Sequence, residues 1–185
     1  MIEEIKQYDS NFSESGFITY INNIFVQIKM GIVLKNLINI KHFVSSSLYE
    51  QLEEIVNNLN KKELTQMYDE LNVYDTKLLK FSKTAEKLVL EVNLISRALD
   101  YQMNKNGKIV RGNNKRRIEQ NNYLTFTKKI NTKEIGKMMK CPSCGATLEV
   151  NKSGRCPYCH GIFDLADYNW ILDSGRFWWR KRVLI

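Results

Sequence analysis

Proline and histidine are nearly absent from this chain of 185 residues, with two of each. Both prolines, Pro142 and Pro157, stand inside one cysteine-rich stretch. Elsewhere no proline interrupts a helix or strand. Two histidines, His42 and His160, leave little general acid–base capacity near neutral pH. No apolar run approaches the ~20 residues that cross a bilayer as a helix. The N-terminus, MIEEIKQYDS, is acidic and lacks the apolar core of a secretory leader. There is no Gly-rich phosphate loop, nucleophile motif or open metal site. Cysteines without a leader point to a reducing interior, so the expected location is cytoplasmic.

What is present is ordinary for a globular chain, with 43% hydrophobic and 26% charged residues. The net charge of +8 is unevenly spread. Residues 1–100 carry 11 Lys/Arg against 14 Asp/Glu, and residues 101–185 carry 17 against 6. The C-terminal half is thus the half that would meet an anionic partner, lipid headgroups or nucleic acid.

Phe17, Ile21, Ile24, Phe25, Ile28 and Ile32 recur at helical spacing and predict a long helix over 10–35, capped by Asp9 or Ser13. Leu48, Leu52, Ile55, Val56 and Leu59 predict a second over 46–59, with LKNLINIKHF as a short connection. From about residue 65 the period changes. Met67, Leu71, Val73 and Leu78 or Leu79 suggest a long, irregular strand. Leu88, Leu90, Val92 and Leu94 alternate clearly within 87–101. Asn106-Gly107 suits a turn, and 116–130 returns as a strand. There Ile118, Tyr123, Thr125 and Thr127 break strict alternation and suggest a bulge. A last short strand is expected over 167–174. Helices first and a strand meander after them predict an α+β fold, the helices covering one face of an antiparallel sheet.

Cys141, Cys144, Cys156 and Cys159 form two C-x2-C pairs with eleven residues between them. Each pair lets two sulfurs reach one ion from a tight turn. Gly145 and Gly161 suit positive φ near those turns, and Pro142 and Pro157 stiffen them. Four sulfurs complete a zinc tetrahedron and leave no place for water, which makes the expected site structural. Iron would accept the same ligand set, but zinc is the expected ion. His160 is expected beside the site or at the surface. Thr147–Val150 and the turn at Asn151–Gly154 suggest the hairpin of a zinc ribbon.

The helix FxxxI…FVQI, a helix ending VNNLN, long strands, the NKNG turn, YLTFTKK and YNWILDS follow one another in that order. Together they resemble the bacterial Tim-44-like domain, kin of the C-terminal domain of mitochondrial inner-membrane translocase subunit 44. Leu124, Thr125 and Phe126 match one characteristic strand, and Asn169, Trp170, Ile171 and Leu172 match the next. The resemblance covers about residues 10–174. It implies a cone like nuclear transport factor two, with a curved antiparallel sheet around the long helix. The division it implies is a cone over 9–139 and 166–174, a zinc-ribbon insertion over 140–165 and a tail over 175–185. The mitochondrial relative is a peripheral membrane protein that binds anionic lipid. The coiled region that recruits its chaperone has no counterpart here, so membrane-surface binding is the part the resemblance carries over.

The tail, GRFWWRKRVLI, sets Trp178 and Trp179 among Arg176, Arg180, Lys181 and Arg182. Trp favours the membrane interface, and cations favour an anionic surface. Packing of the same tryptophans against the sheet is the competing expectation. A second basic group, Lys105, Lys108, Arg111, Lys115, Arg116 and Arg117, crowds one strand turn, and Lys128 to Lys140 leads into the ribbon. The expected function is a non-enzymatic adaptor. It would sit peripherally on an anionic membrane surface, the inner face of the cell membrane, or dock to a membrane-bound protein. Arg116, Arg117 and the tail would make the contact. A zinc-ribbon nucleic-acid binder is the alternative, though no recognition helix or RNP-like motif supports it. A small-molecule-binding or lyase-type cone enzyme is the third. His42, Asp69, Tyr74 and Asp75 are its only candidate residues, and nothing in the sequence puts them on one face.

Overall fold

A computed structural model describes residues 1–130, 139–140, 147–148, 158 and 170–176. A short helix that the sequence reading did not anticipate, α1 (Ile2–Lys6), comes first. The long helix α2 (Glu14–Val33) begins where Ser13 accepts the backbone N–H of Gly16 on its hydroxyl at 3.4 Å. Ser13, not Asp9, is therefore the cap. Ile38–Ile40 forms a 3-10 turn, and α3 (Ser46–Lys61) starts on Ser45, whose hydroxyl accepts from Leu48 N–H.

The sheet comprises β1 (Leu64–Lys83), β2 (Lys87–Asn104), β3 (Ile109–Gly112), β4 (Ile118–Lys129) and β7 (Ile171–Arg176). Its order is β1-β2-β4-β7, and β3 pairs the far end of β2. Every described pairing in it is antiparallel. A separate pair, β5 (Met139–Lys140) and β6 (Thr147–Leu148), is also antiparallel. The α+β class and the layout of N-terminal helices on an antiparallel sheet are as the sequence predicts.

β1 is long and irregular, with register breaks at 69/72, 73/75 and 78/80. Glu70 takes a φ of 52° at the first break, a left-handed value that any non-glycine residue adopts at a cost. The expected bulge in 116–130 is not there. The β2–β4 ladder runs unbroken from Lys87↔Lys129 to Ala98↔Ile118. The buried parity of β4 is Gln120, Asn122, Leu124 and Phe126, while Tyr123 is exposed. From Gln120 to Phe126 the alternation is regular, but two of its inward residues are polar, which hid it from a hydrophobic pattern; Thr127 beyond them is buried as well. The real irregularity falls between β4 and β7, at 125/126, where β7 spends an extra residue, Asp173. The last strand also lies later than expected, over Ile171–Arg176.

The core is the sheet face covered by α2. Phe17 packs edge-on to Phe126 at 5.4 Å between ring centres and sits 5.4 Å from Trp170. Of the residues that carried the family resemblance, Leu124, Phe126, Trp170 and Leu172 are buried here, while Thr125 and Ile171 are half-buried and Asn169 lies outside the described residues. Tyr20 donates its hydroxyl to the Trp170 carbonyl at 2.5 Å, and burial holds its phenol above the usual pKa. Ser45 N–H donates to Leu172 C=O, and Leu172 N–H donates to Phe43 C=O, each at 2.9 Å, so residues 43–45 cover the outer edge of β7.

Asp9 ties three segments together. One carboxylate oxygen accepts from Lys128 of β4 at 2.8 Å and from the Trp170 indole at 3.1 Å. Both side chains of the ion pair are mostly buried. Asp9→Ala would leave a largely buried ammonium and indole N–H without this partner. The expected cost is about 1–2 kcal/mol, a Tm drop of roughly 2–8 °C in a thermal melt. An unchanged Tm would show that the bridge is idle.

Candidate functional site

β3 exists because β2 overruns β4. Beyond Ala98↔Ile118, β2 continues to Tyr101–Met103, and β3 pairs there. The hairpin turns at Asn104–Lys108, with Gly107 at a φ of 76°, and Gly112 ends β3 at a φ of 80°. A Cβ at Gly112 would lie 2.1 Å from the Asp100 carbonyl oxygen, so no other residue fits. Asn113 then accepts Lys115 and Arg116 backbone N–H on its side-chain oxygen, at 2.7 and 3.1 Å, and shapes the turn into β4.

This projection carries the basic group seen in the sequence, but not all of it is free. Arg117 pairs with Glu70, and Lys105 pairs with Glu63 at 3.1 Å. Both acids sit at left-handed positions of the backbone, with φ of 52° and 51°. Lys108, Arg111, Lys115 and Arg116 are exposed, and among the described residues no carboxylate lies within ion-pair distance of them. Of the two predicted contact residues in the turn, Arg116 is available and Arg117 is partly neutralised.

A second feature escaped the sequence reading. The core-facing stripe of β2 and β4 changes character along its length. Leu88, Leu90, Val92 and Leu94 give way to Ser96, Ala98 and Asp100, and Phe126 and Leu124 give way to Asn122 and Gln120. Asp100 accepts from Gln66 and Gln120 amides, each at 2.7 Å. Lys29 of α2 is 1% exposed, with its ammonium 4.1 Å from the Tyr68 ring centre and 5.4 Å from that of Phe25. Desolvation pulls its pKa down to about 8, and Asp100 opposes the fall. Burial, with Asp100 assisting, raises the Tyr68 phenol. Asn122 donates to Leu94 C=O, Ser96 Oγ and Gln120 C=O. Its own Oδ1 is the one buried side-chain polar atom without a partner among the described residues. The readable signal was even parity: once Leu88–Leu94 are inward, Ser96 and Asp100 must be too.

The enzyme candidates are not assembled. Asp69 accepts the Tyr101 hydroxyl at 2.5 Å, which raises that phenol. Tyr74 lies under the Arg97 guanidinium at 3.9 Å, and Asp75 pairs with Lys77 at 3.1 Å. Cys141, Cys144, Cys156, Cys159 and His160 lie outside the described residues, as do Trp178, Trp179, Arg180, Lys181 and Arg182. Arg176 is the last residue of β7. Among the described residues no group of His, Cys, Asp and Glu is arranged to hold a metal, and no helix is long and apolar enough to cross a membrane.

A long helix laid on one face of an antiparallel sheet, with its aromatic contacts gathered at Phe126 and Trp170, defines an α+β fold. The family model for the Tim44-like domain matches residues 1–137, and the chain belongs to that family. The match spans α1 to β4 and stops short of the first cysteine. Comparison with curated proteins found no match.

Proposed function

We propose that this chain is a non-catalytic adaptor that sits peripherally on an anionic membrane surface, alone or beside a membrane-bound protein. The observation that carries the reading is the set of four exposed cations, Lys108, Arg111, Lys115 and Arg116, that have no ion-pair partner among the described residues. Membership of the Tim44-like family supports it. Each cation near an anionic leaflet adds about 1 kcal/mol of attraction. Four together reach about 4 kcal/mol, a millimolar affinity, so an apolar contribution is required as well. In this reading Arg176 at the end of β7 and Trp178, Trp179, Arg180, Lys181 and Arg182 beyond it join Arg116 at the surface, and Arg117 adds less because Glu70 holds it. The inner face of the cell membrane is the proposed location.

The proposed architecture is a cone over 9–139 and 166–174, a zinc module over 140–165 and a tail over 175–185. Cys141, Cys144, Cys156 and Cys159 are the proposed ligands of one structural zinc. Their spacing supports this, and so does the pairing Lys140↔Thr147, which brackets the six positions that carry Cys141 and Cys144. A short hairpin closed at that point suits two sulfurs directed at one ion. The zinc would supply folding energy and no chemistry.

Flotation at physiological salt, with anionic against neutral vesicles and with or without competing RNA, tests the membrane reading. Binding to anionic vesicles alone, surviving RNA and weakened severalfold by Lys115→Glu with Arg116→Glu, is the expected result. Absence of flotation, or its loss to RNA, would replace this reading with a nucleic-acid or protein adaptor.

A further inference from the structure

β4 is longer than the strand described beside it. β7 pairs it from Tyr123↔Arg176 to Thr127↔Ile171, while β2 pairs it along its whole length from Ile118 to Lys129. From Ile118 to Asn122 the edge of β4 that faces away from β2 therefore has no partner among the described residues. Two residues of that stretch, Gln120 and Asn122, are only 4% and 0% exposed. Backbone groups at such buried positions require hydrogen-bond partners. Asn122 requires one more. Its amide donates to Leu94 C=O, Ser96 Oγ and Gln120 C=O, but its buried Oδ1 accepts from no group among the described residues. The described fold thus leaves this place short of a strand along the edge and of a donor at Asn122.

The chain itself comes next in line. After the break at 125/126, Thr125↔Ser174, Leu124↔Gly175 and Tyr123↔Arg176 keep one constant register. Extending it would set Phe177 against Asn122, Trp178 against Asn121, Trp179 against Gln120 and Arg180 against Glu119. Side chains directly opposite each other on paired strands share a face, so the partners of inward Asn122 and Gln120 would turn inward. Those partners are the aromatic Phe177 and Trp179. Trp179 would also be the diagonal neighbour of Asn122, a separation that an aromatic side chain spans, and its indole N–H is the kind of donor that Oδ1 lacks. On the outward face Arg180 would stand opposite Glu119, an exposed carboxylate. The segment suits a strand, because residues 177–185 contain no proline or glycine and begin with three aromatic residues.

We propose that residues 177–180 continue β7 as a strand on the free edge of β4, with Phe177 and Trp179 turned onto the helix-covered face and Trp178 and Arg180 turned out. Any other strand would have to displace a segment already tethered beside the edge, whose effective concentration there is high. The polar end of the helix-covered face is then closed by the chain's own tail and is not open to a ligand. Only the outward residues of the segment remain available to a partner. The proposal stands apart from the membrane-surface reading and amends it at one residue: Trp178 keeps its place at the surface, and Trp179 leaves it.

Amide hydrogen exchange of the full chain, read residue by residue over Ile118–Asn122, tests the pairing. A strand bonded along one edge protects alternate amides only. In the wild type every amide of the stretch should be slow, and Phe177→Ser with Trp179→Ser should speed alternate ones by roughly tenfold or more. Trp178→Ser should leave them slow. Acrylamide quenching of tryptophan fluorescence reads the facing independently. Trp178→Phe leaves Trp170, which is buried, and Trp179, and should be quenched weakly. Trp179→Phe leaves Trp178 and should be quenched severalfold more strongly. Fast exchange at alternate amides of the wild type, or equal quenching of the two phenylalanine variants, would overturn the proposal. Slow exchange that survives Phe177→Ser with Trp179→Ser would also overturn it and give the edge to another occupant, a second copy of this chain if the protection rises with concentration. No vesicle enters these measurements, so the strand and the membrane reading can fail separately.

Discussion

Purified protein is expected to carry about one equivalent of zinc, and Cys144→Ser is expected to lose most of it. The stretch from 140 to 165 is far below the size at which an apolar core sustains a fold alone. In the proposed reading the two C-x2-C pairs supply its folding energy through the metal. In zinc-finger peptides, structural zinc supplies roughly 10–16 kcal/mol of apparent folding free energy. Serine in place of one thiolate leaves an incomplete tetrahedron, and the loss should approach the whole of the module's stability. Metal analysis reads the stoichiometry, and limited proteolysis between Lys140 and Asp164 reads the folding. The main core, built from residues 1–130 together with Trp170 and Leu172, shares no proposed ligand with the site, so its melting should shift much less than the module's protection. Wild-type protein without zinc or iron, or a Cys144→Ser variant with full metal and full protection, would end the idea. A coloured protein would mean iron in the same four sulfurs.

Replacing Lys29 with Met is expected to stabilise the fold. The ammonium is 1% exposed and its pKa falls from 10.5 to about 8, a shift of about 3 kcal/mol against the charged form. At neutral pH the amine is still protonated, so the folded state bears that penalty. The Tyr68 and Phe25 rings offset part of it. Met has a similar length and no charge to desolvate. A gain of about 2–3 kcal/mol, or a Tm rise of roughly 4–12 °C, is expected.

The pH dependence has a definite sign. With the folded pKa depressed, the unfolded chain binds more protons between about 8 and 10.5, so wild-type stability should rise with pH across that window. Lys29→Met should lack the rise. Buried Tyr20 and Tyr68 act the other way at higher pH. Their phenols stay protonated in the fold but ionise near 10 once unfolded, so both proteins should lose stability above about pH 10. Melting curves from pH 7 to 11 on both proteins check this. A lower Tm for Lys29→Met, with no rise in wild-type stability between about pH 8 and 10.5, would show that the ammonium is held by attraction stronger than its desolvation.

The sequence was most informative where one face of an element is uniformly apolar. The spacing of Phe17 to Ile32 located α2, and Leu88 to Leu94 located β2, because burial of one face imposes a period that composition records directly. The Leu124-Thr125-Phe126 and Trp170-Ile171-Leu172 segments pointed to the Tim44-like family, since close packing at Phe17, Phe126 and Trp170 tolerates few alternatives. Patterning misled where a buried face turns polar. Ile118, Tyr123, Thr125 and Thr127 read as a broken alternation in β4, because the inward positions Gln120 and Asn122 are polar. Nothing local in the sequence marks Lys29 as buried, because its partners, Tyr68 and Asp100, come from strands far along the chain.

By itself the sequence determined the helix-then-strand order, the split of charge between the halves and the spacing of the four cysteines, all properties of neighbours along the chain. Only the tertiary structure decided which cations remain unpaired, since Glu63 and Glu70 meet Lys105 and Arg117 across strands. It also decided which apolar residues of α2 the core consumes, leaving Val26, Met30, Leu34 and Ile38 outside. Such selections depend on distances between segments remote in the chain, and those distances are set by the packing of helix on sheet.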